Sequence, residues 1–418
     1  MEKTKKWMKY RCFPFIATLF ICFLAEILVT QIPQDAIAEN SRRSALYYKE
    51  SGLHPQKNEN AIQTRKDYYA DTILLNLISK QDNMSPLRSV ILSPYFDDAS
   101  MNAYEDYMAV VFLRAEANVY YFRYWHGSMV WLKPLLCVMD VTGIFALYKI
   151  LTIGFLIFIM IWSVVQKKWK AGVSFMLAFL LSGGWETVSC LEYGNTMLLI
   201  LVMMVLYLVL GKMREEKLLC LCIINGAIAC FIDFLTIETL AFSLPMGFLF
   251  LTEQYQEGNG DEKKHFFTFV KSLCCWGFSY AGMFLIKWVM AARILGIQGL
   301  WDSIQRTGEH MSMQQGKALF YNIRTLLYAT GAPDKVQMLL VTCYGVLLLW
   351  IIFCLWKNRQ YSGIILVLIP YMRYMIVSNH SYTHHYFTYR AQMISIMLII
   401  YVLLMKITNL KFGGRANG

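Results

Sequence analysis

The sequence predicts an all-α protein that crosses a membrane with about ten helices, and two observations support that fold class. Hydrophobic residues make up 57% of the 418 residues and charged residues only 16%, whereas about a quarter of an average soluble protein is charged. The hydrophobic residues also form blocks of roughly 17 to 25, and a helix of that length crosses the ~30 Å hydrocarbon core of a bilayer. A soluble fold cannot bury this much apolar surface, so the bilayer is the expected solvent.

The apolar blocks of the sequence are the predicted membrane spans. They cover residues 12–32, 143–166, 171–185, 195–211, 218–235, 239–252, 266–290, 338–356, 363–378 and 391–408. Blocks 171–185 and 239–252 are short for a straight crossing, so these two spans are expected to be tilted or broken. The first block is followed by Ala36-Ile37-Ala38, which resembles a signal-peptidase site. Because this block is longer than a secretory signal core, an uncleaved anchor is favoured over a signal peptide.

Clusters of Lys and Arg between the spans indicate on which side of the membrane each connection lies. The chain has a formal net charge of +11, and its basic clusters fall at 1–11, 167–170, 212–217, 263–264, 357–359 and 411–415. Alternating spans bring all of these clusters to one side, which the positive-inside rule identifies as the cytoplasm. We therefore expect a multi-pass protein of the plasma (cytoplasmic) membrane with both termini cytoplasmic. Short basic clusters between apolar blocks do not form the basic face that is typical of nucleic-acid binding.

This topology divides the chain into five parts. They are the cytoplasmic N-terminus with the first anchor (1–32), an extracytoplasmic loop with interfacial helices (33–142), a transmembrane bundle (143–290), a second extracytoplasmic loop (291–337), and the C-terminal transmembrane helices with an outer loop at 378–390 and a cytoplasmic tail (338–418). Within the long first loop, apolar-rich stretches predict helices at 70–78, 101–115 and 127–139. Most polar residues that could carry chemistry then lie on the non-cytoplasmic side.

The first group of candidate residues is acidic and lies in the long loop. Asp67 and Asp71 are four positions apart, so on a helix both carboxylates face one way. Such a pair suits a general base or a site for a divalent cation. The alternative interpretation is that these acids stabilise the N-terminus of a helix through its dipole.

The second group is aromatic and basic. Arg123, Trp125 and His126 belong to the run from Tyr120 to Gly127, just before a predicted interfacial helix. Aromatic rings can pack on the apolar faces of a sugar, and a guanidinium can bind phosphate oxygens in a fork. The alternative is an aromatic belt at the level of the lipid headgroups, which explains the rings but not the arginine and the histidine.

The third group lies between the last two predicted spans. His380, His384, His385 and Arg390 fall within thirteen residues, at 378–390, and we expect them to offer hydrogen-bond donors and one cation to an anionic ligand. His380 and His384 have the spacing of two metal ligands on a helix, but no acidic third ligand is adjacent, so no metal site is predicted. The scattered cysteines, which form no C-x-x-C pair, likewise support neither a zinc site nor a disulfide framework. An ordinary solvated loop is the alternative.

Glu192 and Asp233 are further candidates because each lies near the outer end of an apolar block. An ionisable group at such a position costs a few kcal/mol unless it finds water or a partner. Arg373 lies at a similar depth in a later block and could face the same cavity as Asp233. We therefore add Glu192 and Asp233 to the predicted ligand-binding residues.

As an architecture, the chain resembles the GT-C superfamily of polyprenyl-phosphate-sugar-dependent glycosyltransferases. The shared features are a cytoplasmic N-terminus, one anchor, a long outer loop with acidic residues and interfacial helices, and many further spans with functional loops outside. The stretches Asp67–Asn76, Arg123–Lys133, 233–236 and Ser378–Arg390 are similar to bacterial membrane proteins of this kind that decorate cell-envelope polysaccharides.

The resemblance implies a lipid-linked sugar donor whose phosphate is held by cations near the outer leaflet. It also implies that an acidic residue of the first outer loop deprotonates an acceptor hydroxyl, which here is Asp67 or Asp71. The usual signature places an acid soon after the first span, and Asp35 or Glu39 occupies that place without a surrounding match. The implied partners are a polyprenyl-phosphate-linked sugar, membrane lipid and a glycan acceptor. No cofactor is implied with certainty, and a divalent cation is left open.

A transporter or lipid flippase without glycosyl transfer is the main alternative function. Transporters usually contain related halves and helices broken by Gly or Pro at matching positions, and the sequence shows neither feature clearly. A membrane acyltransferase with a histidine base is a weaker alternative, because no strong nucleophile arrangement is present.

Overall fold

The structure is a computed structural model, and it describes residues 12–59, 61–211, 213–233, 235–252, 262–312, 314–328 and 333–413. Within these ranges about 80% of the residues are helical, and the two strands are two residues long each. This confirms the helical fold class for the described part of the chain. The basic segment 1–11 and Arg415, on which part of the predicted topology depends, lie outside it.

The α-helices are numbered here in chain order. They are α1 (Phe13–Thr30), α2 (Gln34–Ser51), α3 (Tyr68–Ser79), α4 (Pro86–Leu92), α5 (Ala103–Leu113), α6 (Met129–Leu136), α7 (Val141–Val165), α8 (Trp169–Leu181), α9 (Leu191–Leu210), α10 (Glu215–Ile232), α11 (Thr239–Thr252), α12 (Glu262–Leu295), α13 (Ile297–His310), α14 (Gln315–Leu326), α15 (Asp334–Lys357), α16 (Tyr361–Ile376), α17 (Ser378–Thr383), α18 (His385–Thr388) and α19 (Met393–Gly413). Short 3₁₀ helices cover Ile62–Thr64, Gly184–Ser189 and Tyr389–Gln392. Strands β1 (Pro94–Tyr95) and β2 (Val119–Tyr120) pair antiparallel, with Pro94 opposite Tyr120.

Several of these helices have the length and composition of membrane spans. Six stretches of the described residues are long and apolar enough to cross a membrane, namely Phe13–Thr30, Val141–Val165, Leu191–Leu210, Lys263–Leu295, Asp334–Lys357 and His385–Lys406. Shorter apolar helices cover Trp169–Leu181, Thr239–Thr252 and Tyr361–Ile376. Each predicted span coincides with one helix of the set α1, α7 to α12, α15, α16 and α19. The apolar helices support a multi-pass membrane protein, while ten crossings and their orientation stay predictions.

Local sequence sets the ends of the helices. Asp140 precedes α7, and its Oδ1 accepts hydrogen bonds from the backbone N–H groups of Thr142 (3.0 Å) and Gly143 (3.1 Å), which have no partner inside the helix. Helix α8 is followed by Gly183, whose φ of 67° is left-handed. A Cβ at Gly183 would lie 2.3 Å from Oη of Tyr389. Glycine therefore allows the turn after α8 to approach the segment that precedes α19.

Polar contacts gather the long loop and several turns at one end of the helix bundle. They include Lys66 with Glu186 (2.8 Å), Arg123 with Asp302 (3.4 Å), Gln63 with Thr325 (2.7 Å) and Asn379 with Glu309 (3.0 Å). We call this end the loop end, and it comprises the described residues of 33–142, 183–190, 233–238, 297–328 and 377–392. The residues predicted to carry chemistry lie at the loop end or on the first turn of a helix that begins there.

The long loop folds as a helical layer with an apolar core of its own. Residues of α2, α3, α5 and α6 meet in this core, and each is at most 3% exposed: Tyr48, Tyr68, Leu75, Tyr107 and Leu132. The core is continuous with buried residues at the start of α7 and α9. The layer is therefore packed on the bundle, and its polar side chains have fixed positions.

Three helices of the layer were predicted and two were not. Helices α3, α5 and α6 lie at the predicted positions 70–78, 101–115 and 127–139. Helix α2 was missed because most of its residues are polar, although it buries Ile37, Ser41, Ala45 and Tyr48 at helical spacing. The seven-residue α4 and the two-residue strands are too short to leave a periodic signal.

Candidate functional site

The centre of the candidate site is Asp67, at the start of α3. Its Oδ1 accepts a hydrogen bond from the backbone N–H of Ala70 (3.2 Å), so Asp67 is the N-cap of the helix. Its Oδ2 accepts a hydrogen bond from the hydroxyl of Tyr386 (3.0 Å). The residue is only 4% exposed. Asp67 thus has both a helix-capping role and a contact with a segment far along the chain.

Side chains from two loops cover Asp67 on the solvent side. Nδ1 of His54 lies 3.9 Å from Oδ1 of Asp67, and the His54 side chain is 35% exposed. The exposed ring of Tyr69 stacks on the His54 ring at 6.4 Å. The guanidinium of Arg65 lies 4.5 Å from the centre of the Tyr386 ring. Asp67 is therefore nearly buried beside the His54 imidazole, and the Arg65 cation packs on Tyr386, the residue that donates a hydrogen bond to Asp67.

His384 completes what we call the Asp67 cluster, which comprises Asp67, His54, Arg65, His384 and Tyr386. Nδ1 of His384 lies 3.3 Å from Oη of Tyr386. Burial lowers the pKa of His384 to about 4, so the imidazole is neutral near pH 7. Since Tyr386 donates to Asp67, its oxygen can accept a hydrogen bond from His384. The cluster thus combines a carboxylate that can accept a proton with a chain of donors that fixes its orientation.

Asp71 does not lie beside Asp67 in a shared solvent-facing pair. Its carboxylate is fully buried and accepts hydrogen bonds from the backbone N–H groups of Leu191 and Glu192, both at 2.9 Å, and from the hydroxyl of Tyr48 (3.1 Å). It therefore caps the N-terminus of α9, where an anion is favourable. Burial raises the pKa of Asp71 to about 7, and these N–H donors act in the opposite direction. In this position Asp71 joins the helical layer to the bundle.

Glu192 and Asp233 meet through two threonines. Asp233 accepts hydrogen bonds from the hydroxyl of Thr196 (2.6 Å) and the N–H of Thr236 (3.0 Å), and the hydroxyl of Thr236 donates to Glu192 (3.3 Å). Asp233 is 1% exposed and Glu192 is 6% exposed. Oε2 of Glu192 has no hydrogen-bond partner among the described residues.

Arg373 and Glu238 form a buried ion pair next to these acids. The guanidinium binds both oxygens of Glu238, at 2.8 and 3.2 Å, and also donates to the hydroxyl of Ser381 (3.0 Å) and the carbonyl of Leu235. This two-pronged contact joins α16 to the 233–238 turn. Arg373 thus lies near Asp233, as the sequence suggested, but its ion pair is formed with Glu238.

Arg390 is buried and donates its hydrogen bonds to backbone carbonyls. It is 1% exposed, and it donates hydrogen bonds to the carbonyls of Gly183 and Gln63, both at 3.2 Å. Its guanidinium lies 4.9 Å from the ring centres of both Tyr193 and Tyr389. Arg390 therefore ties three segments of the loop end together. It does not present its charge to a ligand at the surface.

The aromatic and basic run near residue 123 divides into buried and accessible parts. Trp125 is fully buried and donates its Nε1 hydrogen to the carbonyl of Met283 (2.9 Å), and His126 is 1% exposed beside the carbonyl of Tyr121. Arg123 keeps 28% of its side chain exposed and forms a 3.4 Å ion pair with Asp302. Of the three predicted residues, only Arg123 is placed to reach a ligand.

An apolar groove of about 430 Å³ opens beside Arg123. Its walls include Tyr280, Phe284 and Trp288 of α12, and Arg123, Arg306 and His310 line its polar part. Arg306 forms an ion pair with Glu309 on the surface. The groove is thus apolar along its length and basic at one place, which is the pattern expected for an anionic amphiphile.

A row of rings connects this groove with the Asp67 cluster. The ring of His310 lies 5.3 Å from that of His380, which lies 4.6 Å from that of His384. His384 in turn contacts Tyr386, the hydrogen-bond donor to Asp67. Nδ1 of His380 has no hydrogen-bond partner among the described residues. Nδ1 of His385 lies 2.7 Å from the Thr325 hydroxyl.

The described residues contain no group of three or more His, Cys, Asp or Glu side chains that could hold a metal ion. The divalent cation left open by the sequence therefore stays an expectation. His380 and His384 are neighbours on one helical turn, as their spacing predicted, but their nearest polar neighbours are other rings and the Tyr386 hydroxyl.

Some residues of the site were not identified from the sequence. His54 and Arg306 stand alone in polar stretches, where no pattern distinguishes them. Arg65 directly precedes the predicted acid pair, and its proximity to Asp67 in the chain was a usable signal. The role of Tyr386 depends on a contact between residues 319 positions apart, which no local pattern shows.

Comparisons with known proteins identify no relative of this chain. No protein-family model matches it. No curated protein and no solved structure matches it either.

Proposed function

We propose that the protein is a membrane glycosyltransferase that moves a sugar from a polyprenyl-phosphate donor to a cell-envelope glycan or lipid acceptor on the outer face of the membrane. The observation that carries the proposal is the connection between the apolar groove, its basic residues and the Asp67 cluster. A polyprenyl-phosphate sugar needs an apolar surface for its tail, cations for its phosphate and a base near its sugar. The loop end offers all three within one continuous set of contacts.

Arg123 and Arg306 are the cations assigned to the phosphate. Each is paired with an acid at the surface, Arg123 with Asp302 and Arg306 with Glu309. Exposed ion pairs of this kind contribute only about 0–1 kcal/mol, so a phosphate can displace the acids at low cost. Planar guanidinium groups suit the leaving phosphate, because its charge increases as the bond to the sugar breaks.

Asp67 is the base assigned to the acceptor. The acceptor oxygen forms a bond with the anomeric carbon of the donor, and the bond from that carbon to the phosphate oxygen breaks. The acceptor proton passes to Asp67, and polyprenyl phosphate leaves with the electron pair of the broken bond. Of the two carboxylates proposed from the sequence, Asp67 suits this step better, because Asp71 is fully buried and held by the N-terminus of α9.

Transport or lipid flipping is the second candidate function. It is favoured by Glu192, Asp233 and the Arg373–Glu238 pair, because ionisable groups buried among apolar helices often mark a path for ions or substrate. A transporter would move its substrate without breaking a glycosidic bond.

The two functions are separated by following the donor in purified protein. Full-length protein in nanodiscs is mixed with a polyprenyl-phosphate sugar carrying a labelled sugar, together with an envelope glycan fraction. The proposal expects labelled glycan and free polyprenyl phosphate in equal amounts. If the donor stays intact while the protein moves labelled lipid across a liposome membrane, the transporter function replaces the transferase.

A further inference from the structure

A small pocket lined by polar and aromatic side chains lies beside His385, the residue that directly precedes Tyr386. Its volume is about 160 Å³, and its lining residues are Glu59, Ile62, Tyr321, Arg324, Thr325, Tyr328 and His385. Helix α14 supplies Tyr321, Arg324 and Thr325, and the short helix Ile62–Thr64 supplies Ile62. A space of this volume is on the scale of a single sugar ring.

The position of the pocket is fixed by hydrogen bonds beneath its surface. Nε2 of Gln63 donates to the carbonyls of Thr325 (2.7 Å), Leu326 (3.2 Å) and Tyr328 (3.3 Å), which holds the end of α14 against the short helix. The hydroxyl of Thr325 lies 2.7 Å from Nδ1 of His385 and fixes that ring. The lining is thus held in place before any ligand binds, which reduces the cost of binding.

The chemistry of the lining is that of a carbohydrate site. Tyr321 and Tyr328 offer flat apolar surfaces with a polar tip, and Arg324 and His385 offer hydrogen-bond donors. Glu59 provides a carboxylate acceptor, and its formal charge cancels that of Arg324. A neutral ring with many hydroxyl groups matches this balance of donors, acceptors and apolar surface better than an anion does.

The pocket adjoins the Asp67 cluster. His385 lines the pocket and directly precedes Tyr386, and their rings are 6.4 Å apart. Tyr386 donates a hydrogen bond to Asp67, and the Arg65 guanidinium packs on the face of its ring. A sugar held against Tyr321 and His385 is therefore connected to the proposed base through Tyr386.

We propose that this pocket binds one neutral sugar unit of the acceptor, so that the group recognised on the acceptor is a sugar. That the bound sugar is the acceptor rests on the proposed function, whereas the binding of a neutral sugar does not. Donor and acceptor then occupy separate sites, with the phosphate at Arg123 and Arg306 and the acceptor ring at Arg324.

The test measures sugar binding without any donor present. Full-length protein in nanodiscs is titrated with neutral trisaccharides (maltotriose, cellotriose, mannotriose and chitotriose) and with a trimer of galacturonic acid, and binding is followed by saturation-transfer NMR and calorimetry. At least one neutral trisaccharide should bind. Arg324→Gln should weaken that binding about tenfold, because a charged hydrogen bond is lost.

Asp334→Asn is the matched control. Asp334 forms the 3.0 Å ion pair with Arg324, but its side chain is 91% exposed and does not line the pocket. This variant breaks the same ion pair and should bind the trisaccharide like the wild type. The proposal is overturned if no neutral trisaccharide binds, if only the uronate trimer binds, or if Arg324→Gln and Asp334→Asn weaken binding equally. If the protein binds a neutral trisaccharide but leaves the polyprenyl donor intact, the transferase function is contradicted. The assignment of the pocket as a sugar site would then still stand.

Discussion

The hydroxyl of Tyr386 donates a 3.0 Å hydrogen bond to Oδ2 of Asp67, although 319 positions separate the two residues. This contact joins the start of α3 to the segment between the last two membrane helices. Because the second oxygen of Asp67 caps α3, both oxygens are oriented. Asp67 is therefore held in one position at the loop end, next to His54 and Arg65.

Removing this hydrogen bond should reduce transfer without unfolding the protein. Tyr386→Phe keeps the ring that supports Arg65 but loses the donor to Asp67 and the acceptor for His384. We expect kcat for sugar transfer to fall about tenfold, which corresponds to one hydrogen bond to a charged group. Tyr382→Phe is the control, because Tyr382 is on the neighbouring turn and contacts Tyr321 instead. Equal transfer rates for Tyr386→Phe and wild type would remove Tyr386 from the mechanism.

Asp71→Asn should destabilise the protein. Each carboxylate oxygen of Asp71 accepts two hydrogen bonds, one of them from a backbone N–H group. In asparagine one of these oxygens becomes an NH₂ group, which would face a backbone N–H group without an acceptor. We expect a loss of about 1–3 kcal/mol, measured as a lower Tm in detergent. Asp140→Asn, at the N-cap of α7, should have little effect because asparagine caps helices as well as aspartate. Equal Tm values for the two variants would show that Asp71 does not anchor α9.

Arg390→Lys should also lower stability. Lysine keeps the charge but cannot reach the carbonyls of Gly183 and Gln63 with a planar fork while stacking on Tyr193 and Tyr389. The free energy of unfolding should fall by roughly 1–3 kcal/mol. The protein that stays folded should have an unchanged KM for the donor. A raised KM with an unchanged Tm would return Arg390 to the phosphate-binding role that the sequence predicted.

Acid should destabilise the loop end. Burial lowers the pKa of His384 to about 4 and that of His126 to about 3, and it lowers the pKa of His380 in the same direction. Since the unfolded values are near 6.5, the stability from these neutral rings is complete above about pH 6.5 and is lost as the pH falls toward the folded values. The Tm should therefore fall on acidification, and His384→Gln should reduce that fall. An equal fall in the variant would exclude His384 as a contributor.

Much of the fold follows from local sequence patterns. The apolar blocks locate the long apolar helices, and Asp67 correctly indicates the start of α3. Helix α2 was missed because its buried residues are separated by polar and charged ones, and its partners lie far along the chain, such as Leu136, 96 positions after Asn40. Hydrophobic periodicity is a property of a single helix. The packing of a mostly polar helix such as α2 depends instead on the neighbouring helices that cover it.

The site was only partly predictable for the same reason. The i, i+4 spacing of Asp67 and Asp71 is real, yet the two carboxylates face different partners, because Asp71 meets the start of α9 some 120 positions later. Trp125 and Arg390 have the residue types of a ligand site but are fully enclosed. Whether a polar side chain binds a ligand or the fold itself is decided by tertiary contacts that spacing does not encode.

The most direct test of the central claim compares Asp67→Asn with Asp140→Asn in purified full-length protein. Both substitutions keep an N-cap, so both variants should accumulate and melt like the wild type. The measurement is release of polyprenyl phosphate from a polyprenyl-phosphate sugar in the presence of acceptor glycan. Loss of the base should reduce turnover by about 10²–10⁴-fold in Asp67→Asn and leave Asp140→Asn unchanged. Wild-type turnover by a folded Asp67→Asn protein would contradict the account.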